Sequence, residues 1–315
     1  MKNNTTTKVL IELPTWLGDC VMSTPAIENI IKYYIDIELT IIGTLTFLEV
    51  IKNHPKVIRT IEVDSKFKFI INQVINLEKF DAYFTFRGSN TAKILKLIIR
   101  SNHKYQFNNK KFPLRHQVQK YSDFVNDSLN TNYLAGHLFI YQSIKGERRS
   151  SKILGINPGG SYGMAKRWYP DQFAKVAIEL ASQFEIIIFG GANYINSAKE
   201  IEDTLIEHQI ENYQNLAGKT SISELIKHIA SLDIFITGDS GPMHIAAGLN
   251  IPTIAIFGPT NDKETSQWKN QNSIIIKKNL NCQPCMKRKC PLNHHKCMKL
   301  IKSSDVIANI TPIIS

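Results

Sequence analysis

KILGINPGGSYGMAKRWYP, residues 152–170, is the stretch that decides the fold of this chain. Its first part, Lys152–Asn157, is a short apolar run that predicts a buried strand. A helical pattern follows from Asp171 to Gln183, with Pro170 near its start. Between them lies a glycine-rich loop. A strand, a loop and a helix in this order form the repeating unit of a parallel sheet covered by helices.

The same unit recurs on both sides of this stretch. The other predicted strands are Val9–Leu13, Glu38–Ile42, Ile58–Val63, Ala82–Phe86, Glu185–Phe189, Ile234–Thr237 and Thr253–Phe257. The other predicted helices are Ala26–Tyr34, Thr91–Arg100, Ile195–Glu207, a helix from the Ser221–Glu224 capping box to Ala230, and Met243–Gly248. This alternation predicts an α/β protein with parallel sheets.

The length of 315 residues fits two domains of ordinary size. Residues 140–152 are polar and contain a glycine, so we predict a linker there, with domains at 1–145 and 146–315. Two such halves would place a central cleft between the carboxyl ends of their sheets. Ligands bind outside those strand ends, so the strand-to-helix loops are the candidate sites.

Composition predicts a globular protein of the cytoplasm. Hydrophobic residues make up 43% of the chain and charged residues 21%, which excludes general disorder. Residues 1–7 are polar, and no uncharged apolar run reaches the ~18–20 residues of a membrane span. In the cytoplasm the five cysteines would stay mostly reduced.

The net charge of +11 favours an anionic partner, such as nucleic acid, an anionic membrane surface or a phosphorylated substrate. Part of the excess lies between Arg87 and Lys120, and a second basic cluster is Lys287–Lys289 in the cysteine-rich segment. Within the first region, residues 101–115 are polar and aperiodic, so we predict a long loop there. The alternative is a solvated basic face without a ligand. Because the chain has no standard nucleic-acid-binding motif, we expect no nucleic acid partner.

The first loop of interest is residues 14–19, which leave a buried strand and enter a helix. Gly18 permits close approach to the backbone, and Asp19 lies at the mouth of the helix. Asp19 either caps that helix, the commonest role of Asp at such a place, or acts as a carboxylate base facing the cleft.

The second loop, residues 157–168, suits a phosphate or diphosphate. Its glycines expose backbone N–H groups, and Lys166 supplies a point charge. The loop is neither a Walker loop nor a G-x-G-x-x-G turn, which argues against a Rossmann dehydrogenase.

The third loop is TGDSGPMH, residues 237–244, and a short helix follows it. A helix N-terminus favours an anion, and Asp239 could accept a hydrogen bond from a ribose or sugar hydroxyl. His244 lies one turn into the helix, where it is either structural or faces the ligand. The fourth loop, Phe257–Asn261, would alone be an ordinary turn.

Together these motifs resemble one family. WLGDCVMSTPA, NPGGSYGMAKRWYP, GDSGPMHIAAGL and IFGPTN, in this order over nearly the whole chain, are similar to the ADP-heptose:lipopolysaccharide heptosyltransferases of glycosyltransferase family 9. The forms of the first three motifs resemble the heptosyltransferase II group more than heptosyltransferase I.

The resemblance implies a GT-B fold of two facing Rossmann-like domains and an inverting transfer of L-glycero-D-manno-heptose from ADP-heptose to the first heptose of the lipopolysaccharide inner core. Domain 1–145 would bind the lipid A–Kdo–heptose acceptor, and domain 146–315 the ADP-sugar. A heptosyltransferase I, or another core or capsule heptosyltransferase of the family, is the alternative. A family member without a membrane span is expected to be peripheral to the cytoplasmic face of the inner membrane.

The resemblance also implies roles for individual residues. Asp19 matches the proposed general base. The expected donor-binding residues are Ser161, Tyr162, Lys166, Asp239, Ser240, Gly241 and His244. The candidates for acceptor contact are the cations of the predicted basic loop, Lys104, Lys110, Lys111 and Arg115. No cofactor and no catalytic metal are expected.

Two features depart from a simple assignment. An acid expected to hold the donor ribose after Gly190 is absent, since the sequence reads Asn193-Tyr-Ile-Asn196. The four cysteines near the C-terminus resemble a structural zinc site by ligand count, although the spacing is irregular; packing thiols are the alternative. They are Cys282, Cys285, Cys290 and Cys297.

Overall fold

The computed structural model describes residues 6–63, 71, 73–141 and 151–310. It divides into two compact units, residues 1–143 and 144–315. The predicted domain boundary at 145/146 and most of the predicted linker lie outside the described residues.

The N-terminal unit is built on a five-stranded parallel sheet. Its strands are β1 (Thr7–Glu12), β2 (Ile37–Gly43), β3 (Val57–Glu62), β4 (Phe80–Thr85) and β5 (Ser101–Gln106), in the order β3-β2-β1-β4-β5. Its described helices are α1 (Leu17–Tyr33), α2 (Leu45–Leu48), α3 (Asn90–Ile98) and α4 (Gln117–Leu129). Helices α1 and α4 pack against each other.

The C-terminal unit is built on a six-stranded parallel sheet. Its strands are β6 (Lys152–Asn157), β7 (Phe184–Ile188), β8 (Tyr213–Asn215), β9 (Ile234–Gly238), β10 (Thr253–Ile256) and β11 (Ser273–Ile276), in the order β11-β10-β9-β6-β7-β8. Its helices are α5 (Pro170–Leu180), α6 (Ile195–Glu207), α7 (Ile222–Ala230), α8 (Gly241–Gly248), α9 (Asp262–Thr265), α10 (Lys296–Lys299) and α11 (Ser303–Ile307). Counted from β8, this is the strand order of a Rossmann sheet.

Burial on both faces explains the apolar strands. The central strand β6 is buried from Ile153 to Asn157, as expected where helices cover both sides of a parallel sheet. Gly155 lies in this strand because a Cβ there would stand 2.4 Å from Leu232 and 2.8 Å from Phe235. The core thus selects a residue without a side chain.

The prediction of a long loop over residues 101–115 is wrong for its first part. Ser101–Gln106 forms β5, which pairs with β4 at the edge of the sheet. An edge strand exposes much of its surface, so this one carries the polar sequence SNHKYQ and lacks the alternation that marks a half-buried strand. The next residues include one 3₁₀ turn, Asn109–Lys111.

The other predicted strands and most predicted helices are found within a few residues of their expected positions. The helix predicted over Ala26–Tyr34 begins nine residues earlier, at Leu17, because Pro25 lies inside it and does not mark its start. Helix α6 has the predicted bounds, and the Ser221–Glu224 capping box is confirmed by reciprocal hydrogen bonds. Helix α5 ends at Leu180, three residues before the predicted Gln183. No helix within the described ranges is long and apolar enough to cross a membrane.

Each sheet has a point where the direction of strand addition reverses. It lies between β1 and β4 in the N-terminal unit and between β6 and β9 in the C-terminal unit. Ligands of open α/β sheets bind at such points, outside the carboxyl ends of the strands. The loops after these four strands contain Asp19 and much of the predicted donor site.

Candidate active site

The loops after β1 and β4 line a cavity of 300 Å³, which we call the Asp19 cavity. Its wall consists of Pro14, Thr15, Asp19, Phe86, Arg87, Gly88, Ser89, Phe107, Asn109, Gln117 and Tyr121. The cavity therefore joins a carboxylate, a guanidinium, two amides and a phenol at the switch point of the first sheet.

Asp19 is half-buried in the first turn of α1. The N-cap of this helix is Trp16, so Asp19 is not its capping residue. The Tyr121 hydroxyl donates to Asp19 Oδ1 at 3.3 Å. Burial, followed by the Asp19 carboxylate, raises the pKa of Tyr121 well above its ordinary value, so the phenol stays protonated as a donor. The arrangement presents an oriented carboxylate at the cavity wall.

Arg87 is fixed in the same wall by a buried ion pair that sequence reasoning missed. Its Nη1 donates to Glu12 Oε1 at 2.9 Å, and the Tyr83 hydroxyl donates to Glu12 Oε2 at 2.6 Å. Glu12 lies at the end of β1 and is only 1% exposed. Since a buried carboxylate needs such partners, Arg87 is tethered where it faces the cavity.

Cys20, the residue after Asp19, has the character of a packing thiol. Its Sγ donates to the carbonyl of Pro14 at 3.3 Å. Burial, and next the Asp19 carboxylate, raise the pKa of this thiol well above its ordinary value. A protonated buried thiol is a poor nucleophile.

The predicted acceptor cations do not form one group. Lys104 and Lys111 line a separate cavity of 270 Å³ together with Lys96. Lys111 also pairs with Asp127 at 2.6 Å, and Arg115 pairs with Asp123 at 2.9 Å. The remaining candidate, Lys110, is exposed in the 3₁₀ turn. Part of the basic charge is thus compensated inside the unit.

In the C-terminal unit, the loops after β6 and β9 bring Lys166 and Asp239 together. Lys166 Nζ lies 3.4 Å from Asp239 Oδ2, and both side chains are 9% exposed. Gly160 makes room for the lysine, because a Cβ there would stand 3.2 Å from Lys166 Cε. A buried cation next to a strand end suits a diphosphate that approaches over the glycines.

Ser240 fixes the N-terminus of α8. Its Oγ accepts from the backbone N–H of Met243 at 3.4 Å and from Asn157 Nδ2 at 3.2 Å. Gly241 is the first residue of this helix, and His244 is buried within it. The helix N-terminus adds its positive partial charge beside Lys166 and Asp239, which favours an anion there.

The remaining predicted donor residues lie on the loop after β6. Ser161 is exposed, and Tyr162 is half-buried with its hydroxyl donating to the carbonyl of Met286 at 2.7 Å. Sequence reasoning missed Tyr194, whose buried hydroxyl donates to the Gly160 carbonyl from the segment where an acid was expected. No local signal identified it, since the contact joins two loops after different strands.

The cysteine-rich segment, residues 282–298, packs on this loop. His295 connects the segment to the loop after β6. Its Nε2 donates to the Ala165 carbonyl at 2.7 Å, and its Nδ1 then accepts from the Tyr169 hydroxyl at 2.9 Å. The four cysteines of the segment are free thiols. Throughout the described part of the chain, no group of three or more His, Cys, Asp or Glu side chains is placed to hold a metal ion.

Comparison with known proteins identifies the family. A family model described as glycosyltransferase family 9 (heptosyltransferase) matches residues 89–296. Lipooligosaccharide heptosyltransferase 2 of Campylobacter jejuni serotype O:2 is 39% identical, over 95% of this chain and 96% of that protein. The serotype O:6 protein of the same name is also 39% identical, over 96% and 98%.

Solved structures agree on the fold. The structure of E. coli ADP-heptose lipopolysaccharide heptosyltransferase II has a TM-score of 0.82 and 20% identity, covering 98% of both chains. E. coli heptosyltransferase WaaC with ADP has a TM-score of 0.76 and 15% identity. The chain belongs to glycosyltransferase family 9 and is a glycosyltransferase with the two parallel sheets of the GT-B class. The predicted family and fold class are confirmed; the predicted residue roles and the cleft between the sheets stay predictions.

Proposed function

We propose that this chain is an inverting heptosyltransferase II, which transfers L-glycero-D-manno-heptose from ADP-heptose to the first heptose of the lipopolysaccharide inner core. The observation that carries the proposal is the 39% identity, over nearly the full length, to two enzymes named lipooligosaccharide heptosyltransferase 2. The lower identity of 26% to a lipopolysaccharide heptosyltransferase 1 of Campylobacter coli favours II over I.

The C-terminal unit supplies the chemistry that an ADP-sugar needs. Lys166 and the N-terminus of α8 follow the carboxyl ends of the neighbouring strands β6 and β9, where they can hold the two phosphates. As the sugar leaves, negative charge grows on the departing ADP, and a fixed lysine and helix N–H groups stabilise it. In this assignment Asp239 accepts a hydrogen bond from a hydroxyl of the ligand.

The N-terminal unit supplies the base. In an inverting transfer the acceptor hydroxyl attacks the anomeric carbon on the face opposite the leaving ADP, and one base takes the hydroxyl proton. This role for Asp19 is supported by its place at a cavity wall and by the hydrogen bond that it accepts from the Tyr121 hydroxyl. Arg87, tethered by Glu12, adds a cation that can receive an anionic group of the acceptor.

The acceptor of this reaction is lipid-linked, so we place the protein at the cytoplasmic surface of the inner membrane. The net charge of +11 supports attraction to an anionic lipid surface. We assign no nucleic acid partner, because an anionic lipid surface and the phosphates of the donor already account for the positive charge.

A donor panel tests this proposal. The full chain is incubated with a one-heptose core acceptor, in EDTA, and with ADP-heptose, UDP-glucose or GDP-mannose in turn. We expect product from ADP-heptose alone, with the anomeric configuration inverted relative to the donor. Product from the other donors but not from ADP-heptose would overturn the donor assignment. A requirement for a divalent cation would overturn the metal-free mechanism.

A further inference from the structure

We propose that Arg288, in the cysteine-rich segment, is a further donor-binding residue that contacts the diphosphate of the nucleotide sugar. This inference rests on the proposed function, because it names a second cation for the same anion. In the sequence Arg288 is only one member of the basic cluster Lys287–Lys289, and it lies more than 100 residues from the loop that it serves.

Backbone contacts hold Arg288 against the donor loop. The Arg288 carbonyl accepts from the backbone N–H of Ala165 at 3.1 Å, and the neighbouring Met286 carbonyl accepts from the Tyr162 hydroxyl at 2.7 Å. Between these two contacts lies Gly163, where a Cβ would stand 2.6 Å from the Arg288 carbonyl oxygen. The chain at residue 288 therefore touches the loop so closely that only glycine fits.

Two further hydrogen bonds hold the segment on both sides of Arg288, at Met286 and at His295. Met286 N–H donates to the Pro259 carbonyl at 2.9 Å, which ties the segment to the loop after β10. His295 donates to the Ala165 carbonyl, the residue before Lys166. Met286 and His295 both have positive φ, at 52° and 48°. Backbone strain of this kind is retained where the surrounding contacts require it.

The side chains of Arg288 and Lys166 both lie near the aromatic ring of Tyr162. The Arg288 guanidinium carbon lies 5.6 Å from the centre of the Tyr162 ring, and Lys166 Nζ lies 5.5 Å from the same centre. Two cations thus converge on one aromatic side chain of the donor loop. In this proposal the guanidinium turns to the diphosphate that Lys166 holds, where its planar fork can bind two oxygens at once.

The charges of Lys166, Asp239 and the donor phosphates show what Arg288 would add to the site. Lys166 is paired with Asp239, so these two groups together carry no net charge. An ADP-sugar has a negative charge on each phosphate. Arg288 adds a net positive charge at this point, and its side chain is exposed, so it can turn toward a ligand.

Calorimetric titration of the full-length protein at an ionic strength of about 0.15 M tests the proposal. The ligands are ADP and adenosine, and the variants are Arg288→Met, Arg288→Lys and the control Lys289→Met. We expect Arg288→Met to weaken ADP binding about 10-fold, as for the loss of one charged hydrogen bond, and Arg288→Lys to lose less. Adenosine has no phosphate, so its affinity should change less than about 2-fold.

The neighbouring Lys289→Met makes a matched change of charge, and Lys289 is exposed. It should weaken ADP binding by less than about 2-fold, because an exposed charge that makes no contact with the ligand is screened at this ionic strength. Equal ADP affinity of Arg288→Met and wild type would overturn the inference. So would equal losses in the two methionine variants, or an equal loss of adenosine affinity. If the wild-type protein bound adenosine but not ADP, the proposed function would be contradicted as well. Failure of the Arg288 inference alone leaves ADP binding by the wild-type protein intact, so the two failures can be distinguished.

Discussion

Replacing Lys166 by methionine should both weaken ADP binding and destabilise the C-terminal unit. The reason is the pair with Asp239, whose oxygen lies 3.4 Å from the lysine nitrogen. Methionine keeps most of the buried stem but leaves Asp239 as an uncompensated carboxylate whose side chain is 9% exposed. The two effects have different causes, so a second substitution can separate them.

The size of each effect follows from this geometry. Removing one partner of a buried ion pair costs ~3–5 kcal/mol, and the long separation points to the lower end, ~3 kcal/mol. For a unit of this size that amounts to a fall of ~6–12 °C in melting temperature. The lost contact to phosphate, at ~1.5–3 kcal/mol, weakens ADP binding about 10- to 100-fold.

The assay is calorimetric melting and ADP titration of Lys166→Met and of the double variant Lys166→Met/Asp239→Asn. The double variant replaces the stranded charge with a neutral amide, so it should recover most of the melting temperature while ADP affinity stays low. Unchanged melting and unchanged ADP affinity in Lys166→Met would refute the reasoning. A double variant no more stable than the single one would show that the loss does not come from Asp239.

Three further predictions follow from other residues. Asp19→Asn should lower turnover by at least ~10²-fold at unchanged ADP affinity, and near-normal turnover would place the base elsewhere. Gly155→Ala should cost ~1–3 kcal/mol in chemical denaturation, because its methyl enters a filled core; equal stability would contradict the packing. Backbone N–H donation from His295 lowers the pKa of Cys290, whereas burial raises that of Cys297 to about 11. At pH 8 iodoacetamide should therefore label Cys290 first, with Cys297 following as the pH approaches 11; equal rates at pH 8 would count against these assignments.

The sequence predicted those parts of the fold that local chemistry determines. Strand β6 and helix α6 follow from apolar periodicity, and α7 begins at a capping box whose two residues bond each other. Strand β5 was missed because its stability comes from the ladder with β4 and not from apolar side chains of its own. Periodicity reports burial, so a polar edge strand leaves no signal.

The candidate site divides in the same way. Lys166 and Asp239 could be named as candidates from the sequence because glycine-rich loops at strand ends suit an anion, and the structure brings the two side chains together. Arg87, Tyr194 and Arg288 were not candidates, because each is placed by a contact between distant segments, to Glu12, Gly160 and Tyr162. The sequence alone does not show which strand ends meet or which segment returns to cover a loop.

The most direct test of the central claim is heptose transfer to two acceptors, lipid A–Kdo without heptose and the same molecule with one heptose. Each is incubated with ADP-heptose and the wild-type chain, and the products are weighed by mass spectrometry. We expect a gain of one heptose on the one-heptose acceptor only. Transfer to the heptose-free acceptor would make the chain a heptosyltransferase I, and transfer to neither would contradict the proposed acceptor.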